Sequence, residues 1–371
     1  MSIWKRHLAL DSGAQDILGV GGAAAASGSM VASIQFVEIA LAAASASGTD
    51  TITAVDTDMT AIFPAGVKSD GTSAQIDKTQ CKLTLTNATT VTAERGDSTT
   101  FNITVAAWVV EFSSDYVEAV EHVDIDLTSE LTDTATLTGS FPLTRSLLVM
   151  QGQLLDSPIA SYLAGVELTD ANTVTATRKN SGAGNTQVSA AAIRFKEIAV
   201  NAAVQGSFST SLSGDWTDTI TAVDTTKTLF SYNGFIHNTG DNTQDDCFAG
   251  VELTNGTTIT AEHDSGSTND RTAYYSLIEF AEGVPFFAGN LTDIDGSYTG
   301  VTKDITLVPA PIDTDKAMTT YGSGSTNSSS LVADHFYSLF KFFDASTFRG
   351  ERAADGNASS TAHKNRLNFF P

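Results

Sequence analysis

The chain has 371 residues, of which 20 are basic and 43 acidic, and its formal net charge is -23. Nucleic acids and anionic membrane surfaces are poor partners for such a chain, because both are bound through basic side chains. The hydrophobic fraction of 41% is large enough to bury real cores, and Thr and Val recur in short alternating runs that favour strands. We therefore expect a folded, mainly β protein with several domains.

The N-terminal residues resemble a signal peptide only superficially. Lys5 and Arg6 precede a short apolar run, but Asp11 and Asp16 interrupt it, and the apolar residues that follow are mostly Gly and Ala. This pattern lacks a secretory core and a run of ~20 apolar residues that could span a membrane. We therefore expect synthesis in a cytoplasm and no cleaved leader.

Internal repeats dominate the rest of the chain. The sequence TDTITAVDT stands at Thr49–Thr57 and again, 168 residues later, at Thr217–Thr225. AGVELT stands at Ala164–Thr169 and, 85 residues later, at Ala249–Thr254, and a more diverged copy follows the third at an offset of 89. These offsets predict an extended N-terminal arm and four repeat segments, with the bounds 1–33, 34–112, 113–196, 197–280 and 281–371.

The closing part of each repeat alternates between apolar and polar residues. Trp108, Val110 and Phe112 fall on one face of an extended segment, and Glu111 falls on the other. Such a period of two predicts a strand that packs on a core from one side. The residues expected at buried sites equivalent to Phe112 are Phe195, Phe280 and Phe369.

Turn signals separate the predicted strands within each repeat. Asx residues favour turns because their side chains bond to nearby backbone, and they recur at aligned positions. One series is Asn87, Asp170, Asn255 and Asp344, and a second is Asp56, Asp224 and Asp313. With six to eight short strands in each unit, the pattern predicts an all-β fold of four tandem β-sandwich-like repeats, either Ig-like or jelly-roll-like.

The search for chemical motifs yields no catalytic, cofactor-binding or metal-binding residues. No two histidines or cysteines have metal-ligand spacing, and His263 aligns with Arg95 and Arg178, which indicates a basic surface position. Cys81 and Cys247 fall in different repeats, so two free, mostly buried thiols are expected. We predict that the protein is not an enzyme and needs no cofactor.

One loop has a partial resemblance to a calcium site. Asp293-Ile294-Asp295-Gly296 begins like an EF-hand loop, but Tyr298 and Asp304 stand where the glycine and the glutamate of such a loop would be. A full EF-hand is therefore not expected. A loosely bound calcium ion between acidic loops stays open as an alternative.

The region 331–371 differs from the rest because it holds five basic and four acidic residues and is rich in Phe. Aromatic and Arg side chains are enriched in interface cores, which predicts a contact with a partner. The residues proposed for this contact are Phe336, Phe340, Phe343, Arg349, Arg352 and Phe370. The alternative is a terminal repeat with a heavier core, since end repeats are often atypical.

The combination of TDTITAVDT, LTNATTVTAER and a closing VVEF resembles repeat modules of virion structural proteins of tailed bacteriophages. The resemblance covers the four repeats but not the arm. It implies a non-enzymatic virion component, assembled in the host cytoplasm, that contacts other virion proteins and copies of itself. A host surface is a further candidate partner, and the resemblance brings no catalytic residues.

Within this class, a neck or tail appendage or a fibre subunit is the first hypothesis, because tandem units span distance and contact only their neighbours. A capsid-decorating protein, such as a cement protein or head fibre, is the second. A bacterial adhesin or S-layer-like protein is a rival, but it should carry an export signal. The arm, which is rich in Gly and Ala, is expected to become ordered mainly against a partner chain.

Overall fold

The computed structural model describes the greater part of the chain. The described residues are 28–69, 76–96, 101–157, 162–182, 184–211, 214–237, 249–262, 270–294, 302–306, 314–326, 339–345, 347–351 and 361–370. They fold as strands joined by turns, and their helical elements are short 3-10 turns. The all-β prediction is therefore confirmed.

The strands have the following bounds. In the first segment they are β1 (Val31–Leu41), β2 (Ser47–Thr51), β3 (Thr60–Ser69), β4 (Lys82–Asn87), β5 (Thr90–Glu94) and β6 (Ile103–Phe112). In the second they are β7 (Val117–Asp126), β8 (Thr132–Thr136), β9 (Ser146–Leu155), β10 (Ala164–Asp170), β11 (Thr173–Arg178) and β12 (Thr186–Phe195). In the third they are β13 (Val200–Thr210), β14 (Trp216–Thr219), β15 (Thr228–His237), β16 (Gly250–Asn255), β17 (Thr258–Glu262) and β18 (Arg271–Phe280). In the fourth they are β19 (Phe287–Ile294), β20 (Thr302–Thr306), β21 (Ala317–Thr326), β22 (Leu339–Asp344), β23 (Thr347–Glu351) and β24 (Thr361–Phe369). The 3-10 turns are Thr57–Met59, Ile76–Lys78, Glu197–Ala199, Thr225–Lys227 and Thr314–Lys316.

The sheets cross the boundaries between segments. Three antiparallel sheets have six strands each, in the orders β1-β6-β3-β22-β23-β20, β2-β5-β4-β9-β12-β7 and β13-β18-β15-β10-β11-β8. Two further sheets have three strands each, β14-β17-β16 and β19-β24-β21, and β16 lies against β21. The first segment thus pairs with the second and with the fourth, so the segments form a closed arrangement. The expectation that each unit contacts only its neighbours in sequence is wrong.

Each connection between segments in a shared sheet passes through one glycine in the left-handed region. Gly66 (φ 108°) pairs with Leu339, Gly152 (φ 110°) with Lys82, and Gly234 (φ 104°) with Gly165. These are the places where β3, β9 and β15 meet a strand of another segment. A Cβ on Gly152 would lie 2.1 Å from the carbonyl oxygen of Cys81, so a larger residue would push the two backbones apart.

Four hydrophobic cores fill the described structure. Three are peripheral and belong to the first, second and third segments separately. The fourth is a central core to which all four segments contribute. Its aromatic rings contact one another in series, with centroid distances of 6.1 Å for Phe112–Phe195, 5.3 Å for Phe195–Phe280, 4.7 Å for Phe280–Phe286 and 5.3 Å for Phe286–Phe370.

The central core corrects the prediction that the closing strands pack from one side. In β6, Trp108 and Phe112 face the central core, and Val105 and Val109 face the core of the first segment. β12 and β18 are divided between two cores in the same way. Both faces are buried because each closing strand lies between its own segment and the centre that the segments share.

The strand register also corrects the position of the fourth aromatic residue. Phe112, Phe195 and Phe280 are buried as expected, but Phe369 pairs with Ala317 at the level where Glu111 pairs with Thr60. The residue in the core is the next one, Phe370, which is fully buried. The fourth segment therefore has one residue more before its last strand than a constant offset of 89 allows.

The predicted turns are confirmed where the structure describes them. Asp56 Oδ1 accepts from the Asp58 backbone N–H at 3.0 Å, and Asp224 Oδ1 accepts from the Thr226 N–H at 2.9 Å. The bonds to Thr226 lower the pKa of Asp224. Asn87 and its counterparts Asp170 and Asn255 accept from the backbone N–H two residues ahead in the same way. Asp313 lies outside the described residues.

Arg95 and Arg178 are not surface residues. Each is 1% exposed, and each donates to backbone carbonyls of the loop after the first strand of its segment. Arg95 Nε bonds to the Ser45 oxygen at 2.8 Å, and Arg178 Nε bonds to the Glu130 oxygen at 2.7 Å. The guanidinium group has several donors in a fixed fork and so satisfies a buried loop. His263, which aligns with them, lies outside the described residues.

Candidate interaction surface

The junction between the first and fourth segments is made by ion pairs and aromatic rings. Lys341 Nζ lies 3.0 Å from Glu38 Oε1 and 3.1 Å from Glu351 Oε1. Although burial opposes the charged form, hydrogen bonds to both carboxylates raise the pKa of Lys341 above its ordinary value. Behind these charges the Trp108 ring contacts the Phe342 ring at 5.3 Å. Charge and aromatic packing together hold the first and fourth segments side by side.

The junctions between segments that follow one another in the chain hold neutral polar groups, beside the ion pairs Lys82–Asp124 at 3.9 Å and Lys227–Glu282. Between the second and third segments, Asn233 accepts from the Met150 N–H at 3.3 Å and donates to Ser276 Oγ at 3.1 Å. Ser276 Oγ in turn donates to the Leu148 carbonyl oxygen at 2.6 Å. Between the first and second segments, His122 Nε2 lies 2.9 Å from the Thr60 carbonyl oxygen. These bonds join backbone of one segment to side chains of the next.

The residues predicted for partner contact are distributed between core and surface. Phe370 is fully buried and contacts Phe286, so its ring belongs to the central core. Arg349 forms a two-pronged pair with Asp304, with Nε–Oδ1 at 2.6 Å and Nη2–Oδ2 at 2.8 Å. This pair lowers the pKa of Asp304, and both carboxylate oxygens of Asp304 are bound by Arg349.

The remaining members of that predicted set are not described by the structure. Phe336 and Arg352 lie outside the described residues, as do the side chains of Phe340 and Phe343 in β22. Phe348 nearby is fully buried and packs against Phe342. Some of the Phe residues of this region are therefore part of the hydrophobic core, which agrees with the alternative interpretation. A partner contact through the other residues stays a prediction.

The ends of the closing strands converge on one side of the central core. The links that leave them, 113–116, 196–199 and 281–286, lie there with the first described residues, 28–30. We call this surface the link face. Tyr116 Oη donates to the Gly28 carbonyl oxygen at 3.1 Å, and Ser29 Oγ donates to the Phe370 oxygen at 3.2 Å. The beginning and the end of the described chain therefore meet on this face.

Three of the four large hydrophobic side chains exposed among the described residues lie at the link face. Ile198, in the second link, is 51% exposed, and Phe287, at the start of β19, is 46% exposed. Leu143 is 39% exposed and lies two residues before Arg145, whose carbonyl accepts from the Phe195 N–H. The fourth, Leu131, is 46% exposed and lies beside the start of β12, at the other end of the fold.

Charged side chains also lie on this face. Asp115, Glu197 and Glu282 stand on the three links and are exposed. Glu282 pairs with Lys227, and Arg145 pairs with Glu118 at 2.6 Å. Lys196, Lys227 and Arg145 lie on the same side, so the link face combines apolar side chains with charges of both signs. Sequence reasoning missed this combination because the three apolar residues are far apart in the chain.

The described residues were also compared with the features of metal and membrane sites. In this part of the chain, no three His, Cys, Asp or Glu side chains come together as a set that could hold a metal ion. Within the same residues, no helix is both long and apolar enough to cross a bilayer. Cys81 is a buried free thiol whose pKa is raised to about 12 by burial, and Cys247 lies outside the described residues.

Comparison with known proteins adds no identification. No protein-family model matches the chain, and no curated protein sequence matches it. The interpretation of function therefore depends on the fold and on the link face.

Proposed function

We propose that this chain is a non-enzymatic structural component of a tailed-bacteriophage virion. The repeat motifs that resemble virion modules form the strands and turns of the fold, with TDTITAVDT running from β2 into the first 3-10 turn. The described polar side chains at the junctions hold segments together, as Asn233 and Lys341 do. This use of polar groups supports a role in assembly.

The observation that carries the proposal is the central core shared by all four segments. Such a core makes the four segments one rigid body, because the closing strands of each cannot separate from the centre without exposing aromatic rings to water. A rigid, closed body is suited to a fixed position between other proteins of a larger assembly. We therefore favour a compact neck or head position for this chain.

A fibre subunit is a less suitable role than the repeats alone would indicate. Tandem units extend a fibre when each contacts only the next, whereas here the first segment shares a sheet with the fourth. Capsid decoration is the second candidate, because a closed body with one apolar face fits a role that covers another surface. An adhesin or S-layer-like role is the third.

The test is the composition of particles. Mass spectrometry of particles purified from a lysate of cells that carry this gene should detect the chain at the abundance of a structural protein. Immunogold labelling should then place it at the neck or on the head. Its absence from particles that are otherwise complete would overturn the proposal, and labelling along the length of tail fibres would restore the fibre hypothesis.

A further inference from the structure

We propose that Asn255 is a site of spontaneous deamidation, in which the backbone nitrogen of Gly256 attacks the side-chain amide of Asn255. The proposal is independent of the virion role, because it depends on the chemistry and geometry of one hairpin turn, between β16 and β17. The chain has two Asn-Gly pairs, Asn233-Gly234 and Asn255-Gly256, and the structure places them in opposite surroundings.

The reaction is a cyclisation followed by hydrolysis. The Gly256 nitrogen loses its proton to solvent and forms a bond to Cγ of Asn255. The bond from Cγ to Nδ2 then breaks, ammonia leaves with a proton from solvent, and a succinimide ring remains. Water opens the ring at either carbonyl carbon, so residue 255 becomes aspartate or isoaspartate. The net change consumes one water, releases one ammonia and involves no oxidation.

The first argument is the activation of the Asn255 amide. Asn255 Oδ1 accepts from the Thr257 N–H at 2.9 Å and from Thr257 Oγ1 at 3.0 Å. Attack at Cγ moves negative charge onto this oxygen, and two donors that already point at it stabilise that charge, as in an oxyanion hole. Asn255 is also exposed, so water can reach the ring and ammonia can leave.

The second argument is the nucleophile. The equivalent turn of the first segment has the same amide geometry, because Asn87 Oδ1 accepts from the Thr89 N–H at 2.9 Å and from Thr89 Oγ1 at 3.0 Å. Ala88, however, stands in the place of the glycine. Glycine has no Cβ beside its attacking nitrogen and lets the backbone rotate towards the ring geometry. Such local opening costs least in exposed turns, so Asn255 should react faster than Asn87.

The third argument is the protection of the other Asn-Gly pair. The Asn233 side chain is fully buried. Its Oδ1 accepts from the Met150 N–H at 3.3 Å and from Ser231 Oγ at 3.0 Å, and its Nδ2 donates to Ser276 Oγ at 3.1 Å. These bonds hold both ends of the amide, and burial excludes the water that hydrolysis needs. The fold therefore directs the reaction to Asn255.

The two products differ in their effect on the turn. Aspartate fits this turn, because Asp170 stands at the equivalent position of the second segment and its Oδ1 accepts from the Asn172 N–H at 2.8 Å. Isoaspartate inserts an extra carbon into the backbone, which disturbs the bond from the Val223 N–H to the Gly256 oxygen at 2.8 Å. Both products add one negative charge, and the isoaspartate form also loosens the end of the hairpin.

Peptide mapping provides the test. The native full chain is incubated at mildly alkaline pH, where the backbone nitrogen loses its proton more readily, and is then digested for mass spectrometry. We expect conversion of amide to acid to be severalfold faster at Asn255 than at Asn87, and absent at Asn233. In a chain kept unfolded in urea, Asn233 should react as fast as Asn255. Equal rates at Asn255 and Asn87 in the native chain, or reaction only after unfolding, would overturn the proposal.

Exchange of the residues after the two asparagines isolates the effect of the glycine. Ala88→Gly should raise the rate at Asn87 to that of Asn255, and Gly256→Ala should lower the rate at Asn255 to that of Asn87. An added Cβ on Gly256 would lie 2.6 Å from the Val223 carbonyl oxygen, so the thermal unfolding midpoint of this variant is measured as well. Ala88→Gly removes an atom and introduces no such contact, and an unchanged rate in that variant would contradict the proposal.

The identity of the products tests the route. Isoaspartate forms only when the ring opens at the backbone carbonyl carbon, so its presence at residue 255 identifies attack by Gly256. Aspartate without isoaspartate would indicate direct hydrolysis of the side chain and would overturn the ring mechanism.

Discussion

The junction of the second and third segments and the junction that closes the arrangement are built from different interactions. The neighbouring junction of the second and third segments has neutral groups that are fully buried, including Asn233 and Ser276. The closing junction has Lys341 between Glu38 and Glu351, and these side chains are partly exposed at 24%, 38% and 17%. Neighbouring segments are already held close by short links, whereas the closing contact joins residues about three hundred positions apart.

This difference indicates how each junction contributes to stability. A buried group that loses its partner costs about 1–3 kcal/mol, whereas an exposed ion pair contributes about 0.2–1 kcal/mol. Most of the free energy that holds the first and fourth segments together must therefore come from the aromatic contact and from the central core. The central core stabilises both kinds of junction. Substitutions of decreasing severity can separate these contributions.

The largest effect is expected from Phe195→Ala, which should lower the free energy of unfolding by about 3–5 kcal/mol. Phe195 contacts rings from the first and third segments in the central core, so all segments should be destabilised together. Urea unfolding followed by circular dichroism should show one transition at lower denaturant. Leu131→Ala, at an exposed site, should change stability by less than about 0.5 kcal/mol. A second transition in which one segment unfolds alone would contradict a shared core.

A smaller but substantial effect is expected from Gly152→Ala. The new Cβ meets the Cys81 carbonyl oxygen at 2.1 Å and also stands on backbone with φ of 110°. Gly214→Ala is a matched control, because Gly214 has φ of 87° and no atom within 4 Å of its added Cβ. The backbone cost of about 1–2 kcal/mol is common to both variants. Equal unfolding free energies for the two would show that the junction tolerates the clash.

The smallest effect is expected at the closing ion pairs. A double-mutant cycle with Lys341→Ala and Glu38→Ala should give a coupling of about 0.2–1 kcal/mol, weakened in 1 M salt because exposed charges are screened. The control cycle pairs Lys341→Ala with Asp115→Ala at the link face and should give no coupling. A coupling that is unchanged by salt would contradict an electrostatic origin.

The same junction predicts a pH dependence. Burial opposes ionisation of Glu351, but the bonds to Lys341 and the charge of Lys68 lower its pKa below the usual value. A carboxyl with a lowered pKa stabilises the fold above its unfolded pKa, near 4.3, and loses this contribution as pH falls through the folded value. Glu351→Gln should therefore flatten the acid side of the stability profile.

Strands and turns could be predicted from the sequence because their signals are local. The alternation at Trp108–Phe112 and the Asx residues at Asp56 and Asn87 depend on neighbours in the chain, and the structure has a strand or a turn at each. The sequence contains a further local signal. The nearly continuous apolar runs AAWVV and AAAI in β6 and β12 are typical of strands buried on both faces, which is how they are packed.

The contacts between segments could not be predicted in the same way. The pairing of Gly66 with Leu339 joins residues far apart in sequence, and no periodicity reports it. Gly66 and Gly234, which align at the offset of 168, indicate that backbone approaches closely there. The link face depends on Leu143, Ile198 and Phe287, which lie on three different segments and reach one side of the fold only when the segments close.

The bond from Ser29 Oγ to the Phe370 oxygen brings the two ends of the described chain together, so the segments could be encoded in a different order. Chains whose termini lie side by side tolerate circular permutation when the new ends fall in exposed turns. The link at Glu197 and Ile198 is such a turn. A gene that began there and joined residue 370 to residue 28 by a short linker would encode the same closed body with the third segment first.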